Sequence, residues 1–303
     1  MGVNKKGRVK KSLTTGRPPT VLKPKSISRK ATRTLINSHH VLEKKKAQAI
    51  AKGDIAAQAA IEAEIAALGG LEKYQQASLQ GQRLDRGGDS SRVLMEWLKT
   101  MSPGLSDVAS PSSVSSSTRG AGLRMLEVGA LSTANACSKS GIFGMERIDL
   151  NSQSDGILQQ DFMKRPLPKD DSERFDIISL SLVLNFVPDA IGRGEMLLRT
   201  LEFLKEPDTH YSSQLRDIFP SLFMVLPAPC ITNSRYMNEA HIDSIMNTLG
   251  YMKVQSKTTQ KLVYYLWVRK SAVQSPLPAF KKLELRSGHS RNNFAIVIRG
   301  SSG

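Results

Sequence analysis

The sequence predicts an α/β fold: an open, mostly parallel sheet with an antiparallel edge strand, preceded by a helical extension and a disordered basic arm. Three observations predict it. From residue 121 onward, single apolar runs alternate with helical stretches, which is the pattern of a doubly wound sheet. Two further apolar runs near the end of the chain indicate an antiparallel pair at one edge. The basic residues are concentrated at the beginning of the chain.

The strands are predicted from short apolar runs bounded by turn residues. They cover 123–128, 145–149, 175–181, 221–226, 261–269 and 293–299. Helices are predicted between them, a short one after residue 131 and longer ones around 190–204 and 238–249. Because single strands separated by helices are typical of a doubly wound sheet, the sheet is expected to be parallel.

The region ahead of the sheet is predicted to be helical. Isoleucine and leucine recur at helical spacing over 38–68, and Gly53 with Asp54 divides that stretch into two helices. Asp54 is expected to cap the second of them. A third helix is predicted to begin at Ser90 or Ser91 and to dock on a core through its apolar residues.

Composition divides the 303 residues into four parts: a basic arm over 1–37, a helical extension over 38–100, a Ser/Pro-rich linker over 101–120 and a catalytic domain over 121–303. Hydrophobic residues make up 40% of the chain, which suits one substantial core. The apolar runs are too short to span a bilayer, and a secretory signal is not evident. Two cysteines and five histidines lack metal-ligand spacing, so we expect no metal. Because the apolar runs are short we expect no membrane partner, and we also expect a monomer.

The charge is unevenly distributed along the chain. The net charge is +16, and residues 1–50 hold 14 of the 43 basic residues but a single acid, Glu43. Such an arm attracts polyanions by counterion release, which favours nucleic acid as the partner and a nuclear or nucleolar address. A solvated tail that only aids solubility is the alternative. Tyr74 with Arg83 and Arg86 forms either an RNA-facing loop or an ordinary connection.

A candidate cofactor site lies where the first two strands of the predicted sheet end. The first strand ends at Glu127 and Gly129, and twenty residues beyond this glycine Asp149 ends the next strand. In open α/β sheets a carboxylate at this second position accepts hydrogen bonds from a ribose, and the glycine lets the backbone approach the cofactor. The sequence therefore predicts an adenosine-containing cofactor, with Glu127 near a cationic amino group.

The glycine pattern favours S-adenosylmethionine (SAM) over a dinucleotide. Dinucleotide enzymes use G-x-G-x-x-G to place a pyrophosphate on a helix N-terminus, whereas residues 129–134 read G-A-L-S-T-A. SAM has no pyrophosphate, so it tolerates the loss of the later glycines. An NAD-linked oxidoreductase is disfavoured for this reason, and because a hydride-relay histidine or Tyr-Lys pair is not evident.

Two more segments supply candidate contacts. Asp161 would accept from the adenine amine and Phe162 would lie against the base, although a turn or helix cap is the alternative for Asp161. After the strand predicted over 175–181 the chain reads Asn185-Phe186-Val187-Pro188, where amino-directed adenine methyltransferases carry (D/N)-P-P-(Y/F/W). A ring nitrogen such as adenine N1 has an in-plane lone pair and needs alignment more than base catalysis. We therefore predict that Asn185 and Phe186 position the base without a general base; a structural Asn beside a core Phe is the alternative.

Taken in order, six segments carry a family resemblance: 71–98, 126–130, 147–151, 158–162, 179–189 and 226–236. Through them the chain resembles the fungal 25S ribosomal RNA adenine-N(1) methyltransferases, a nucleolar family of class I SAM enzymes. The resemblance implies a Rossmann-like class I methyltransferase sheet and SAM bound through Gly129 and Asp149. It also implies ribosomal RNA or a pre-ribosomal particle as the substrate.

Two other functions remain open on the sequence alone. The chain could bind SAM and serve as a ribosome-assembly factor that holds RNA without modifying it. It could also methylate another RNA position or a protein. Both alternatives keep the predicted fold and cofactor, so they differ only in the reaction product.

Overall fold

The computed structural model describes residues 28–70, 72–73, 77, 89–105, 122–152, 154–207 and 211–301. Most of the predicted basic arm and linker, together with Tyr74, Arg83 and Arg86, lies outside the described residues. Within these ranges, none of the helices is long and apolar enough to cross a membrane.

The centre of the protein is a seven-stranded sheet in the order β3-β2-β1-β4-β5-β7-β6. Strands β1 to β5 pair in parallel, and β7 runs antiparallel to both β5 and β6. The strands are β1 (Leu123–Val128), β2 (Phe143–Asp149), β3 (Leu158–Gln159), β4 (Ile177–Ser181), β5 (Ser221–Pro227), β6 (Tyr251–Thr258) and β7 (Leu262–Arg269). The predicted α/β class with an antiparallel edge is confirmed, because β7 is the one strand of this sheet that runs opposite to the others.

One predicted strand is wrong. Residues 293–299 do not form the antiparallel edge pair, which consists of β6 and β7. This run is continuously apolar over 294–298, like a buried strand, but it packs on helix α5 (Ala190–Phe203), where the Val297 N–H donates to Ala190 O at 2.8 Å. A Cβ on Gly194 would come within 1.9 Å of Val297 O, so this close approach requires glycine.

The helices ahead of the sheet follow the predicted division with one change. Helix α1 covers Arg29–Lys52 and α2 covers Ile55–Ala67, with Gly53 in the left-handed conformation between them and Asp54 accepting from the Ala57 N–H. However, α1 begins well before residue 38, because the Ser28 hydroxyl caps it at Arg29. The last residues of the predicted arm are therefore helical.

Helix α3 (Ser91–Met101) joins the sheet as predicted. Leu94, Trp97 and Leu98 are buried against residues of β1, β4 and β5. The Trp97 ring meets Phe223 of β5 edge to face, with ring centroids 6.1 Å apart. This helix is therefore packed into one layer of the core.

Further helices with bounds inside the described residues are α4 (Ala136–Lys139), α6 (Pro229–Thr232) and α7 (Glu239–Thr248), with single 3-10 turns at Phe162–Lys164 and Asp171–Glu173. Helix α5 buries Met196, Leu197 and Leu201 in the main core. After β7 the chain continues to residue 301 without another helix or sheet strand among its described residues. Phe294, Ile296 and Ile298 of this segment complete the main core.

Candidate functional site

The parallel strands bring the predicted site residues to the end of the sheet where β1, β2 and β4 finish, which is the edge meant from here on. Val128 of β1 pairs with Ile148 of β2 and with Leu180 of β4, so Gly129, Asp149 and Ser181 follow at the same level. Neighbouring strands lie about 5 Å apart. This edge is formed by the carboxyl ends of the strands on both sides of β1, where ligands bind in open α/β sheets.

Gly129 occupies a position that only glycine accommodates. Its φ is +73°, and a Cβ built on it would lie 2.7 Å from the Cγ2 atom of Val183. The N–H groups of Gly129 and Ala130 both donate to Ile148 O, at 2.8 and 3.1 Å, which fastens the end of β1 to β2. The turn after β1 is therefore held by its backbone and pressed against the turn after β4.

Glu127 is an enclosed carboxyl with a dedicated partner. The amide Nδ2 of Asn135 donates to both of its oxygens at 2.8 Å, and Asn135 also caps α4 by accepting from the Ser138 N–H. Burial raises the pKa of Glu127 to about 7, against the opposing effects of Asn135 and Arg147. A cationic ligand group beside this carboxyl would recover the free energy that its burial costs.

Asp149 stands at the end of β2, as the sequence predicts. Its Oδ1 accepts from the Asn151 N–H at 2.8 Å, and its backbone oxygen accepts from the Gln160 N–H at 2.9 Å. The side chain is only partly buried. It can therefore accept hydrogen bonds from a ligand that lies over the carboxyl ends of β1 and β2.

The structure gives different environments to Asp161 and Phe162, the two residues predicted to contact the adenine. Asp161 caps the 3-10 turn that follows it, with Oδ1 accepting from the Met163 N–H at 2.9 Å. The expectation that Phe162 lies against the base is wrong, because Phe162 is 3% exposed and packs on Phe203 with ring centroids 5.4 Å apart. In the sequence, an apolar side chain at position 162 suits the core as well as it suits contact with a base.

The turn after β4 is strained. Leu182 has a φ of +58°, and it is the one residue other than glycine with positive φ among those described. Such a conformation costs about 1–3 kcal/mol and is found most often at functional sites. The Leu182 N–H donates to Val225 O at 2.9 Å, so pairing with β5 holds the turn and places Val183 against Gly129.

Asn185 and Phe186 follow directly on this turn. The Phe186 N–H donates to Val183 O at 2.8 Å, and both side chains are partly buried. The Oδ1 atom of Asn185 is shielded from solvent and has no hydrogen-bond partner within the described ranges. An enclosed acceptor without a donor is costly, which distinguishes Asn185 from an ordinary structural cap.

Sequence reasoning missed Asp89, which connects the helical extension to the site. Its Oδ2 accepts from the Ala136 N–H at 2.6 Å, and its carboxylate also accepts from the backbone and hydroxyl of Ser91. The neighbouring Ser90 hydroxyl shares a hydrogen bond of 2.7 Å with Ser181. The signal for Asp89 in the sequence, Asp-Ser-Ser before an apolar run, indicated only the start of α3.

Two solved structures of ribosomal RNA methylases align with parts of this chain. The 16S rRNA methylase RmtB aligns with 80% of this chain and 76% of its own, at 12% identity and a TM-score of 0.36. An rRNA methylase from Escherichia coli aligns with 78% of this chain and 90% of its own, at 13% identity and a TM-score of 0.36. At these scores the fold rests on the strand order of this chain and not on the alignments.

Two fungal proteins share more sequence identity with this chain than these solved structures do. A Schizosaccharomyces pombe protein named 25S rRNA adenine-N(1) methyltransferase is 37% identical over 263 residues, which is 86% of this chain and 89% of that protein. A Saccharomyces cerevisiae protein named 25S rRNA (adenine(2142)-N(1))-methyltransferase is 36% identical over 236 residues, or 78% of this chain, and the match spans 62% of that protein. One family model matches residues 59–296, and the chain therefore belongs to the family described as 25S rRNA (adenine(2142)-N(1))-methyltransferase, Bmt2.

Proposed function

We propose that this chain transfers the methyl group of SAM to N1 of an adenine in large-subunit (25S) ribosomal RNA. The observation that carries the proposal is the Gly129 turn, closed against Val183 and flanked by Glu127 and Asp149 at one edge of the sheet. Membership of the family supports the choice of substrate, since the fungal relatives carry the corresponding names.

The side chains at this edge fit SAM. Gly129 lets the turn after β1 close against Val183, and the Glu127 carboxyl suits the cationic amino group of the methionine moiety. Asp149 would accept from the ribose hydroxyls. Asp161 would accept from the adenine amine through Oδ2, because Oδ1 is used by the cap. When bound, SAM supplies a sulfonium methyl group that a nucleophile can displace.

The target base is positioned by the turn after β4. Asn185 carries an enclosed acceptor without a partner among the described residues, and the amine of adenine is a donor beside N1. A hydrogen bond from that amine to Oδ1 would fix the orientation of N1, with Phe186 supporting the base. The N1 lone pair lies in the ring plane and is available for the displacement, so the site needs alignment and no general base.

The substrate must be opened before it reaches this site. Adenine N1 lies on the Watson–Crick edge, so the nucleotide must be unpaired or flipped out at a cost of a few kcal/mol. The basic residues of 1–37 would anchor the surrounding RNA by counterion release. The same residues suit a nuclear and nucleolar location, where pre-ribosomal particles are the available substrate.

Reverse transcription tests the proposal. The full chain is incubated with SAM and unmodified large-subunit RNA, and an N1-methylated adenine then stops the transcriptase because it cannot pair. We expect one new stop with wild-type protein and none with Asp149→Ala, which should still bind the RNA. Wild-type protein that binds RNA without transferring a methyl group would support an assembly factor instead. Mass spectrometry that places the methyl group elsewhere in RNA, or on protein, would support the other alternative.

A further inference from the structure

The segment after β7 carries a group of basic residues that are not neutralised by the protein. Residues 281–291, here called the basic strap, contain Lys281, Lys282, Arg286, His289 and Arg291 and a single acid, Glu284. None of the Lys and Arg side chains of the strap forms an ion pair with a carboxylate in the described part of the chain. Elsewhere on the sheet domain, basic residues are commonly paired with acids, as in Arg165–Glu146, Lys205–Asp176, Lys253–Asp243 and Lys270–Asp217.

The basic strap is fastened to the chain that leaves β5. The Arg286 guanidinium donates to four backbone oxygens, those of Ile231, Thr232, Ser234 and Met237. The N–H groups of Leu285 and Arg286 both donate to Arg235 O, at 2.7 and 3.1 Å. These bonds give Arg286 a structural role and leave the other cations of the strap at the surface.

Neighbouring contacts fix two of the remaining cations. The Lys282 ammonium lies 4.4 Å from the centre of the Tyr236 ring. Arg291 donates to Ser287 O at 2.7 Å, and Arg235 donates to Gly288 O at 2.9 Å. Because each of these acceptors is a neutral ring or carbonyl, the positive charge of the surface is held in place without being cancelled.

The position of the basic strap relates it to the substrate side of the site. Strand β5 runs parallel to β4, so α6 and residues 233–237 start from the same edge as Asn185. Glu127 and Asp149 lie at the ends of β1 and β2, on the other side of β4 from β5. The strap therefore borders the half of the edge that faces the target base and not the half assigned to SAM.

We propose that the basic strap, with Arg235, binds the RNA phosphates that flank the target nucleotide. The proposal rests on the proposed function, since it takes RNA as the substrate and Asn185 as the base-side residue. Uncancelled cations beside the base-side turn are the complement of a polyanion, and contacts to phosphates position a nucleic acid without reading its sequence. The strap would thereby hold the backbone while the target base is turned into the site.

The test measures how RNA affinity depends on salt. The full chain is titrated into a labelled single-stranded oligoribonucleotide of about 20 nucleotides, longer than the ~4–16 that one binding site covers. The variant Lys281→Gln/Lys282→Gln removes two exposed cations. Its matched control, Lys99→Gln/Lys169→Gln, removes two exposed cations outside the strap, in the last turn of α3 and ahead of β4, that likewise lack an ion pair among the described residues.

Each lost phosphate contact reduces the slope of log K against log salt by about 0.7 for a single strand. We therefore expect the slope to fall by about 1.4 in the strap variant and to stay unchanged in the control, with SAM affinity intact in both. Equal slopes in the two variants would overturn the inference. If the wild-type chain transfers no methyl group but the strap variant alone loses slope, the proposed reaction fails and the RNA surface stands. If the wild-type chain transfers the methyl group but the strap variant keeps its slope, the reaction stands and the RNA surface fails.

Discussion

Replacing Glu127 with glutamine should remove the pH dependence of SAM binding. Burial raises the pKa of the Glu127 carboxyl from its ordinary value of 4.5 to about 7. The amino group of the methionine moiety needs the ionised carboxylate, so below this pKa binding must first displace a proton. At about pH 5 roughly one site in a hundred is ionised, whereas at pH 7 about half are. The Kd of wild-type protein for SAM should therefore rise about 50-fold from pH 7 to pH 5, or about 2.3 kcal/mol.

Calorimetry in buffers of different ionisation enthalpy measures both consequences. Near pH 6 wild-type protein should release about 0.9 proton on binding SAM. The α-amino group, with a pKa of about 7.7–8.0, stays protonated over this range and adds no slope of its own. Glu127→Gln keeps an acceptor for Asn135 and should give a weaker, flat profile; Asp149→Asn should weaken binding but retain the pH dependence. A flat wild-type profile, or a slope that survives in Glu127→Gln, would refute the assignment.

Four further outcomes follow from the same edge. Without ligand, Glu127→Gln should raise the free energy of unfolding by about 3 kcal/mol above pH 7 and leave it unchanged below pH 4. The raised pKa destabilises the folded state only where Glu127 is ionised, and thermal melts across pH check this. Gly129→Ala should abolish SAM binding, whereas Gly141→Ala, with a φ of +71° and open space around it, should cost stability only; equal SAM affinities would contradict the Val183 contact. Asp89→Ala should lower stability by about 1 kcal/mol and weaken SAM binding. Asp54→Ala, which removes a cap on α2, should lower stability alone in denaturant titrations. Equal SAM affinities of the two variants would contradict the role of Asp89. Asn185→Ala should lower kcat more than tenfold with unchanged SAM affinity in single-turnover assays, and a normal rate would exclude it from base positioning.

Strands β1 and β2, on the cofactor side, can be predicted because each is a short stretch with buried apolar residues that ends at a turn. Residues 123–128 are bounded by Gly122 and Gly129, and the turn glycine itself marks where the strand ends. The acid at position 149 can be predicted because it follows Ile148, the last buried residue of β2, at the point where the strand leaves the core. In each case the local pattern and the tertiary position agree.

The residues that sequence reasoning misplaced depend on a partner far along the chain. The run 293–299 has the apolar character of a buried strand, but its position is decided by α5, which lies about a hundred residues earlier. Phe162 has a side chain that suits either a base or a core, and contact with Phe203 decides for the core. Asp89 is a common helix-start residue whose bond to the Ala136 N–H requires the assembled fold. Patterns over a few residues contain none of this information.

The site also changes where the functional unit begins. The sequence suggested a catalytic domain over 121–303, separated by a linker from the helical extension. Yet Asp89 caps the short helix after β1, Ser90 bonds to Ser181 at the end of β4, and Leu94 is fully buried beneath the sheet. A chain that began at residue 121 would lose the bond from Asp89 to α4, next to the Asn135 that binds Glu127. It would also expose the apolar residues of β1 that α3 covers. We therefore propose that the segment from Asp89 onward belongs to the catalytic unit, because residues that precede β1 in the chain help to build the edge where the cofactor binds.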